Sequence, residues 1–313
     1  MKNLKQKIFE TVLFFLILTI VSFCVIKLAP GDPVRNILGA EDLVVTQEQI
    51  NEMRIELGLD KPIYQQYGTW IGKLFQLDLG KSAMTHRDVV TEISRAFPAT
   101  LILAFSSLFV MFLIALPLGI LSAIYRDSWI DKFANSFSLL GTSIPGFWLG
   151  LIMIDVFAVR LGLFPTMGIG TLSHLILPSL TLGISMAPPY IRLLRASLIE
   201  SKQKDFVRAA RARGIDEKSI FFFHILRDSM LPLLTLFGVS LGSLLGGTVI
   251  TEVIFGYPGL GSMAVTSLVK KDYAVIQGFL LFMGIMVYIT NLLMDLSYRL
   301  VNPAIAIKEV EQR

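Results

Sequence analysis

Few residues in the chain have types and spacing suited to chemistry. Gly80-Lys81-Ser82 has the form of the tail of a phosphate-binding loop, in which consecutive amides and a lysine cradle phosphate oxygens. Such a loop needs a glycine five positions before the Gly-Lys pair, and Phe75 stands there. No nucleotide site is therefore assigned. None of His86, His174 and His224 sits three or four residues from another histidine, and no His-Glu-x-x-His occurs. His86 and His174 could face an outer vestibule as metal ligands, but an ordinary surface or interfacial histidine is the simpler reading. Cys24 is the single cysteine, which excludes an intrachain disulfide and a cysteine-based metal cluster. The methionines Met111, Met153, Met186, Met283, Met286 and Met294 fall in apolar runs, where a thioether fills gaps or faces lipid. No nucleophile–base pair or carboxylate pair for hydrolysis emerges. No catalytic residue, metal set or bound cofactor is assigned, and the chain is not expected to be an enzyme.

Ionisable groups inside apolar runs remain. Asp155 and Glu252 are the clearest, with Asp295 nearer the end of its run. Such groups are expensive in a membrane and are functional candidates for that reason. Asp155 and Glu252 are candidates for a translocation pathway or gate. For Asp155 and Asp295, pairing to backbone or a basic side chain at the interface is the simpler reading. For Glu252, which precedes the Gly/Pro-rich "VIFGYPGLG", the gate is preferred.

These groups sit in a very apolar chain. Of 313 residues, 54% are hydrophobic and only 17% charged, against about 25% charged in ordinary soluble domains. The net charge of +4 does not imply nucleic acid, because the positive charge flanks apolar runs. A span needs about 20 predominantly apolar residues. Six runs meet this: 8–28, 97–125, 133–159, 172–194, 230–255 and 273–298. The first is too long for a signal-peptide core and is read as a retained helix that also directs insertion. Each run must be helical, since lipid offers the backbone no partners. Lysine and arginine concentrate at the N-terminus (Lys2, Lys5, Lys7), after the second run (Arg126, Lys132), after the fourth (Arg192 to Arg227) and in the tail (Arg299, Lys308, Arg313). The short opposite loops hold only Arg160, Lys270 and Lys271, and the long segment 29–96 carries charges that weigh little in the rule. The positive-inside rule therefore predicts cytoplasmic termini and an extracytoplasmic segment at 29–96.

That outer segment is predicted to be helical. Thr46 and Gln49 form a capping box, Ile50, Met53 and Leu57 share a face, and Gly58 followed by Pro62 stops the helix. Ile63, Tyr67, Ile71 and Leu74 make a second amphipathic stretch. Pro117, Pro145, Pro178, Pro188 and Pro189 are expected to kink the spans, either around a pathway or only to shape packing. The whole chain reads as one membrane domain.

One polar segment, 195–229, interrupts this pattern. In "DFVRAARARGIDEKSI" (205–220), Ala209, Ala210 and Ala212 favour a helix of little bulk, with Arg208 and Arg211 extending to the sides. Gly214 ends it as a C-cap, and Asp216 and Glu217 open a second helix. The helix–Gly–helix punctuation favours a knob that seats in a groove of a soluble partner. The rival is a basic segment resting on anionic lipid.

The run "DFVRAARARGIDEKSIFFFHILRDSMLP" resembles the cytoplasmic EAA loop of binding-protein-dependent ABC importer permeases, in the branch serving dipeptides, oligopeptides and nickel. Arg208 stands where the general motif has its glutamate, and the spacing from Gly214 to Leu231-Pro232 is longer than in sugar permeases. Both departures belong to that branch. "APGDP" (29–33), "LGLDKPIYQQYGTWI" (57–71), "LDLGKS" (77–82), "FPATLILA" (97–104), "SIPGFWLGLIMIDVFAVRLGLFP" (143–165), "RLLRAS" (192–197), "EVIFGYPGLG" (252–261) and "KDYAVIQG" (271–278) match in order along nearly the whole chain.

The resemblance implies an all-α fold of six transmembrane helices, with a helical insertion between the first and second, in a prokaryotic cell membrane. It implies a second homologous permease as heterodimer partner, two cytoplasmic ATPases that use the ATP, and an extracytoplasmic solute-binding protein. Arg208, Ala209, Ala210, Arg211, Arg213, Gly214, Asp216 and Glu217 would then couple the permease to an ATPase. "GLDKPIYQQYGTW", "LDLGKS", Phe164–Gly170 and "RLLRAS" put nickel or a metal chelate ahead of di- and oligopeptides as cargo. An ion-coupled secondary transporter is the rival of another class. It should show repeat symmetry and several inward-facing acids, and neither is evident.

Overall fold

The computed structural model describes residues 4–28, 34, 46–56 and 58–301. The "APGDP" motif, Leu57, Lys2, Lys308, Arg313 and the side chains of Asp295 and Arg299 lie outside the described residues. Among the described residues the chain is helical, and its only β pairing is an isolated bridge between Lys81 and Asp88. The helices are α1 (Leu4–Leu28), α2 (Gln47–Glu56), α3 (Ile63–Phe75), α4 (Val89–Ile124), α5 (Trp129–Ser143), α6 (Gly146–Met153), α7 (Leu172–Ser201), α8 (Asp205–Ala212), α9 (Glu217–Ser219), α10 (Leu226–Ile254), α11 (Leu260–Val269) and α12 (Tyr273–Val301). Wide π-turns extend α6 through Ile154–Arg160 and join α9 to α10 through Ile220–Ile225.

Two compact units form: the described residues of Met1–Ala99 with Gly259–Ile289, and Thr100–Pro258 with those of Thr290–Ile305. Helices α4 and α12 contribute to both.

In the first unit, Val89, Ile93 and Ala96 of α4 pack with Leu260 and Val275. The helix begins at Val89, eight residues before the expected span at 97. Thr91, Glu92, Ser94 and Arg95 alternate with these buried positions, so the first turns are amphipathic rather than continuously apolar. Helix α2 opens as expected: Thr46 N donates to Gln49 Oε1 at 3.0 Å and Gln49 N donates to Thr46 Oγ1 at 3.4 Å. Gly58, with φ +65°, closes it.

In the second unit α7 is central, packed against α10, α5 and α6. Twelve of its residues are buried, among them Leu177, Ala187, Tyr190, Ile191, Leu194 and Leu198. Close approach requires small residues. A Cβ on Gly183 would lie 2.5 Å from Val110 Cγ1 and 3.0 Å from the Met111 amide nitrogen. Serines add short bonds between helices, as Ser106 Oγ to Ser179 Oγ at 2.7 Å. Small residues and hydroxyls are what membrane helices use to associate, because lipid provides no hydrophobic drive between them.

Four helices among the described residues are long and apolar enough to cross a membrane: Lys5–Leu28, Val89–Ile124, Glu217–Gly242 and Tyr273–Met294. The expected span at 133–159 is instead two helices, α5 and the α6 segment, meeting at 102°. The break is at Ile144-Pro145. Ile144 is extended (φ −88°, ψ 121°), the conformation that a following proline imposes. Counting that bent pair as one span makes five. Helix α7 covers the expected 172–194 and is about 45 Å long. Its serines, threonines, glycines and prolines keep its hydropathy below that of the others. The same residues suit a helix enclosed by protein, and its three internal prolines leave it one continuous helix.

Gly183→Ala should destabilise the protein by about 1–3 kcal/mol through overpacking. Gly242→Ala, where a Cβ meets nothing within 4 Å, should stabilise it by roughly 0.5–1 kcal/mol. Thermal unfolding of the purified protein in one detergent checks both signs.

Candidate functional site

The polar segment between α7 and α10 folds as an elbow. Helix α8 buries Val207 and Ala210 in the core cluster that holds Leu194, Leu198, Ile220 and Ile225. Its outer positions, Arg208, Ala209, Arg211, Ala212 and Arg213, are exposed. Gly214, at φ +78°, takes the left-handed conformation that a Schellman ending requires. Its amide donates to Arg211 O at 2.9 Å and that of Ile215 to Ala210 O at 3.2 Å. Asp216 then caps α9, accepting from Ser219 N at 3.0 Å, and that hydrogen bonding holds its carboxyl below the usual carboxylate range. Across the bend Arg211 Nε and Nη2 donate to Glu217 Oε1 and Oε2 at 2.6 and 3.1 Å. The carboxylate raises the Arg211 guanidinium above its ordinary value. Arg208 makes a longer pair with Asp205 at 3.5 Å.

The base of the elbow is tied down by charge. Asp228 of α10 accepts from Lys204 Nζ at 2.7 Å and from the Ser201 hydroxyl. Lys202 Nζ donates to Ala123 O at 3.2 Å, and burial pushes its ammonium pKa down. One step further in, Arg195 Nε and Nη2 donate to Asp131 Oδ1 and Oδ2 at 2.6 and 2.7 Å. Asp131 also accepts from Asp127 N at 3.0 Å and Asn135 Nδ2 at 2.9 Å. Its side chain is 4% exposed and that of Arg195 23%, so water screens the pair little.

All eight residues expected to couple to an ATPase thus lie in one elbow. Ala210 differs from the rest: it faces the core and anchors α8 rather than offering surface. Asp155 and Glu252 make different contacts. Asp155 pairs with Arg160 Nη2 at 2.8 Å. These residues are five apart, a spacing that the π-turn puts on one face. Glu252 is fully buried and accepts from Thr100 Oγ1 at 2.7 Å. Its carbonyl receives Tyr257 N at 2.8 Å. Burial, and then the Glu252 carboxylate, push the Tyr257 phenol up.

Asp131, Arg195 and Asp228 were not singled out by sequence. Ser128 caps the helix that carries Asp131, accepting from Asp131 N at 3.5 Å, but nothing local announces a partner 64 residues away. Gly80-Lys81-Ser82 has a structural use. Ser82 donates to Asp272 Oδ2 at 2.5 Å and accepts from Thr85 N at 3.0 Å and Met84 N at 3.2 Å. Two of the quoted motifs, "LDLGKS" and "KDYAVIQG", meet at that bond. His174 Nδ1 lies 2.9 Å from Thr171 Oγ1 at the start of α7.

The family model for the binding-protein-dependent transport system inner membrane component matches residues 115–307, and the model for the N-terminal part of such components matches 1–104. The chain belongs to this family. The permease is 38% identical over 292 residues to the glutathione transport system permease protein GsiC of Escherichia coli K12, covering 93% of this chain and 94% of the relative. The GsiC of Pectobacterium atrosepticum is likewise 38% identical over 293 residues, covering 94% and 95%. The fold matches a chain of the MetNI methionine ABC transporter in an inward facing conformation, with TM-score 0.57 and 23% identity over 68% of this chain and 97% of that one. An amino acid ABC transporter crystallised with histidines gives TM-score 0.52 and 19% identity, over 67% and 94%. The permease is an integral membrane transport subunit of an ABC importer of the peptide/nickel branch, and not an enzyme.

Asp131→Ala leaves Arg195 uncompensated and should lower stability by about 3 kcal/mol. Adding Arg195→Met should recover much of that loss. A double-mutant cycle by thermal unfolding measures the coupling.

Proposed function

We propose that this permease carries small peptides of the glutathione class, and that the elbow at 205–220 is the point where ATPase movement enters it. The observation that carries the second part is the elbow's construction: a basic, small-residue tip on a base fixed by Val207, Ala210, Ile220 and the Asp228 bonds. A contact transmits work only if it is made differently in two states, and a tip rigidly joined to α7 and α10 would carry displacement into the bundle. The positive-inside rule puts this tip on the cytoplasmic side. The family places such a chain with ATPases and a solute-binding protein, and a second, homologous permease completes the proposed pathway. ATP is used by the partners. Asp155 and Glu252 have separate settings, and of the two Glu252, buried beside Thr100, is the better gate residue.

Sequence motifs alone favoured nickel or a metal chelate as cargo. The two GsiC relatives, each matched over nearly its full length, move the preference to peptides. Uptake into cells that carry the complete importer should be seen with labelled glutathione or dipeptide, and excess unlabelled nickel should not compete. Nickel accumulation without peptide uptake would return the cargo to the metal.

Gly214→Pro cannot reach φ +78°, since the ring holds φ near −65°. Ala209→Asp puts a carboxylate on the exposed tip. Each should release the ATPases on purification and lower ATP-driven uptake at least tenfold while the protein stays in the membrane. Full transport with full ATPase retention in both would overturn the coupling assignment.

A further inference from the structure

Helix α3 has three distinct sides, and one of them is unaccounted for by packing or by solvent. Its inner side, Tyr67, Trp70, Ile71 and Leu74, is half-buried. Tyr67 and Trp70 lie against Phe23 of α1, with ring centroids 5.4 and 5.8 Å apart, and Tyr67 Oη lies 2.9 Å from Thr19 Oγ1. Gln66 Oε1 accepts from Lys27 Nζ. Phe23 is five residues inside the end of α1, about 7 Å along its axis. Thr19 is deeper still. Helix α3 therefore lies beside a membrane-spanning helix within that helix's length, not above its end.

The two outer sides differ sharply. Residues 65, 69, 73 and 76 align along one flank, and they are Gln65, Thr69, Lys73 and Gln76. Residues 64, 68, 72 and 75 align along the other, and they are Tyr64, Gly68, Gly72 and Phe75. Phe75 is 86% exposed and Tyr64 72%, with Leu77 just beyond at 78%. On the neighbouring α1, Val12, Leu16 and Ile20 are exposed as well.

We propose that α3 is an interfacial helix that rests its Tyr64–Phe75 flank in one leaflet of the bilayer. The other outer flank would meet water at the headgroups. Aromatic side chains are favoured at that boundary, where a ring has an apolar body and a wet end. An amphipathic helix lying in the interface buries its apolar side in the headgroup–acyl boundary. The contact would fix the level of the insertion against the membrane independently of the spans.

The test uses the complete importer in nanodiscs of phosphatidylcholine and phosphatidylglycerol. In a Cys24→Ser background, nitroxide labels are placed by Tyr64→Cys and Phe75→Cys on one flank and by Gln65→Cys and Thr69→Cys on the other. The ratio of collision with oxygen to collision with a water-soluble paramagnetic chelate should be severalfold higher at 64 and 75 than at 65 and 69. Equal ratios on the two flanks would overturn the proposal. So would low collision with both reagents at 64 and 75, which would mean that a protein partner covers them.

Discussion

Hydrocarbon can neither accept a hydrogen bond nor drive two apolar helices together, and this double limitation shapes most of the permease. The first half of it requires helices, and among the described residues the chain is almost entirely helical. The second half leaves shape and short polar bonds to hold helices in contact. Helix α7 meets the requirement with Gly183 against Val110, Ser179 against Ser106, and buried alanine where a larger side chain would push its neighbours away. Its modest hydropathy follows from that central place.

The same limitation collects charge where the chain leaves the apolar region. Asp131–Arg195, Asp228 with Lys204 and Ser201, and the Arg211–Glu217 clasp follow one another from the end of α7 into the elbow. The first two satisfy groups that would otherwise be stranded as the chain reverses, and the exposed Arg211–Glu217 clasp closes the bend at the surface. Together with Val207 and Ala210 in the core they leave the elbow little freedom to move independently of its helices.

Several residues that look chemical have local structural partners. Ser82, in the Gly-Lys-Ser of an apparent phosphate loop, ties its turn to Asp272. His174 sits at a helix start, and Asp155 pairs with Arg160 along a π-turn. By family the permease is one part of a binding-protein-dependent importer.

Periodicity and punctuation were enough to read many elements. The Thr46–Gln49 box, the stop at Gly58, the helix ended by Gly214 and the cap at Asp216 are local, each decided within a few residues by backbone hydrogen bonds and φ. The apolar runs were equally plain, because crossing lipid demands about 20 such residues in succession. Four runs appear as single apolar helices. The early start of α4 was hidden because Val89, Ile93 and Ala96 bury only one face. The 102° break at Ile144-Pro145 could be suspected from the proline, but its angle depends on what α5 and α6 pack against. Pairings such as Asp131 with Arg195 or Ser82 with Asp272, and the inward turn of Ala210, were set only by tertiary structure. Residues far apart in sequence carry no mark of one another until packing brings them together, whereas a cap, a turn and a hydrophobic run are complete in themselves.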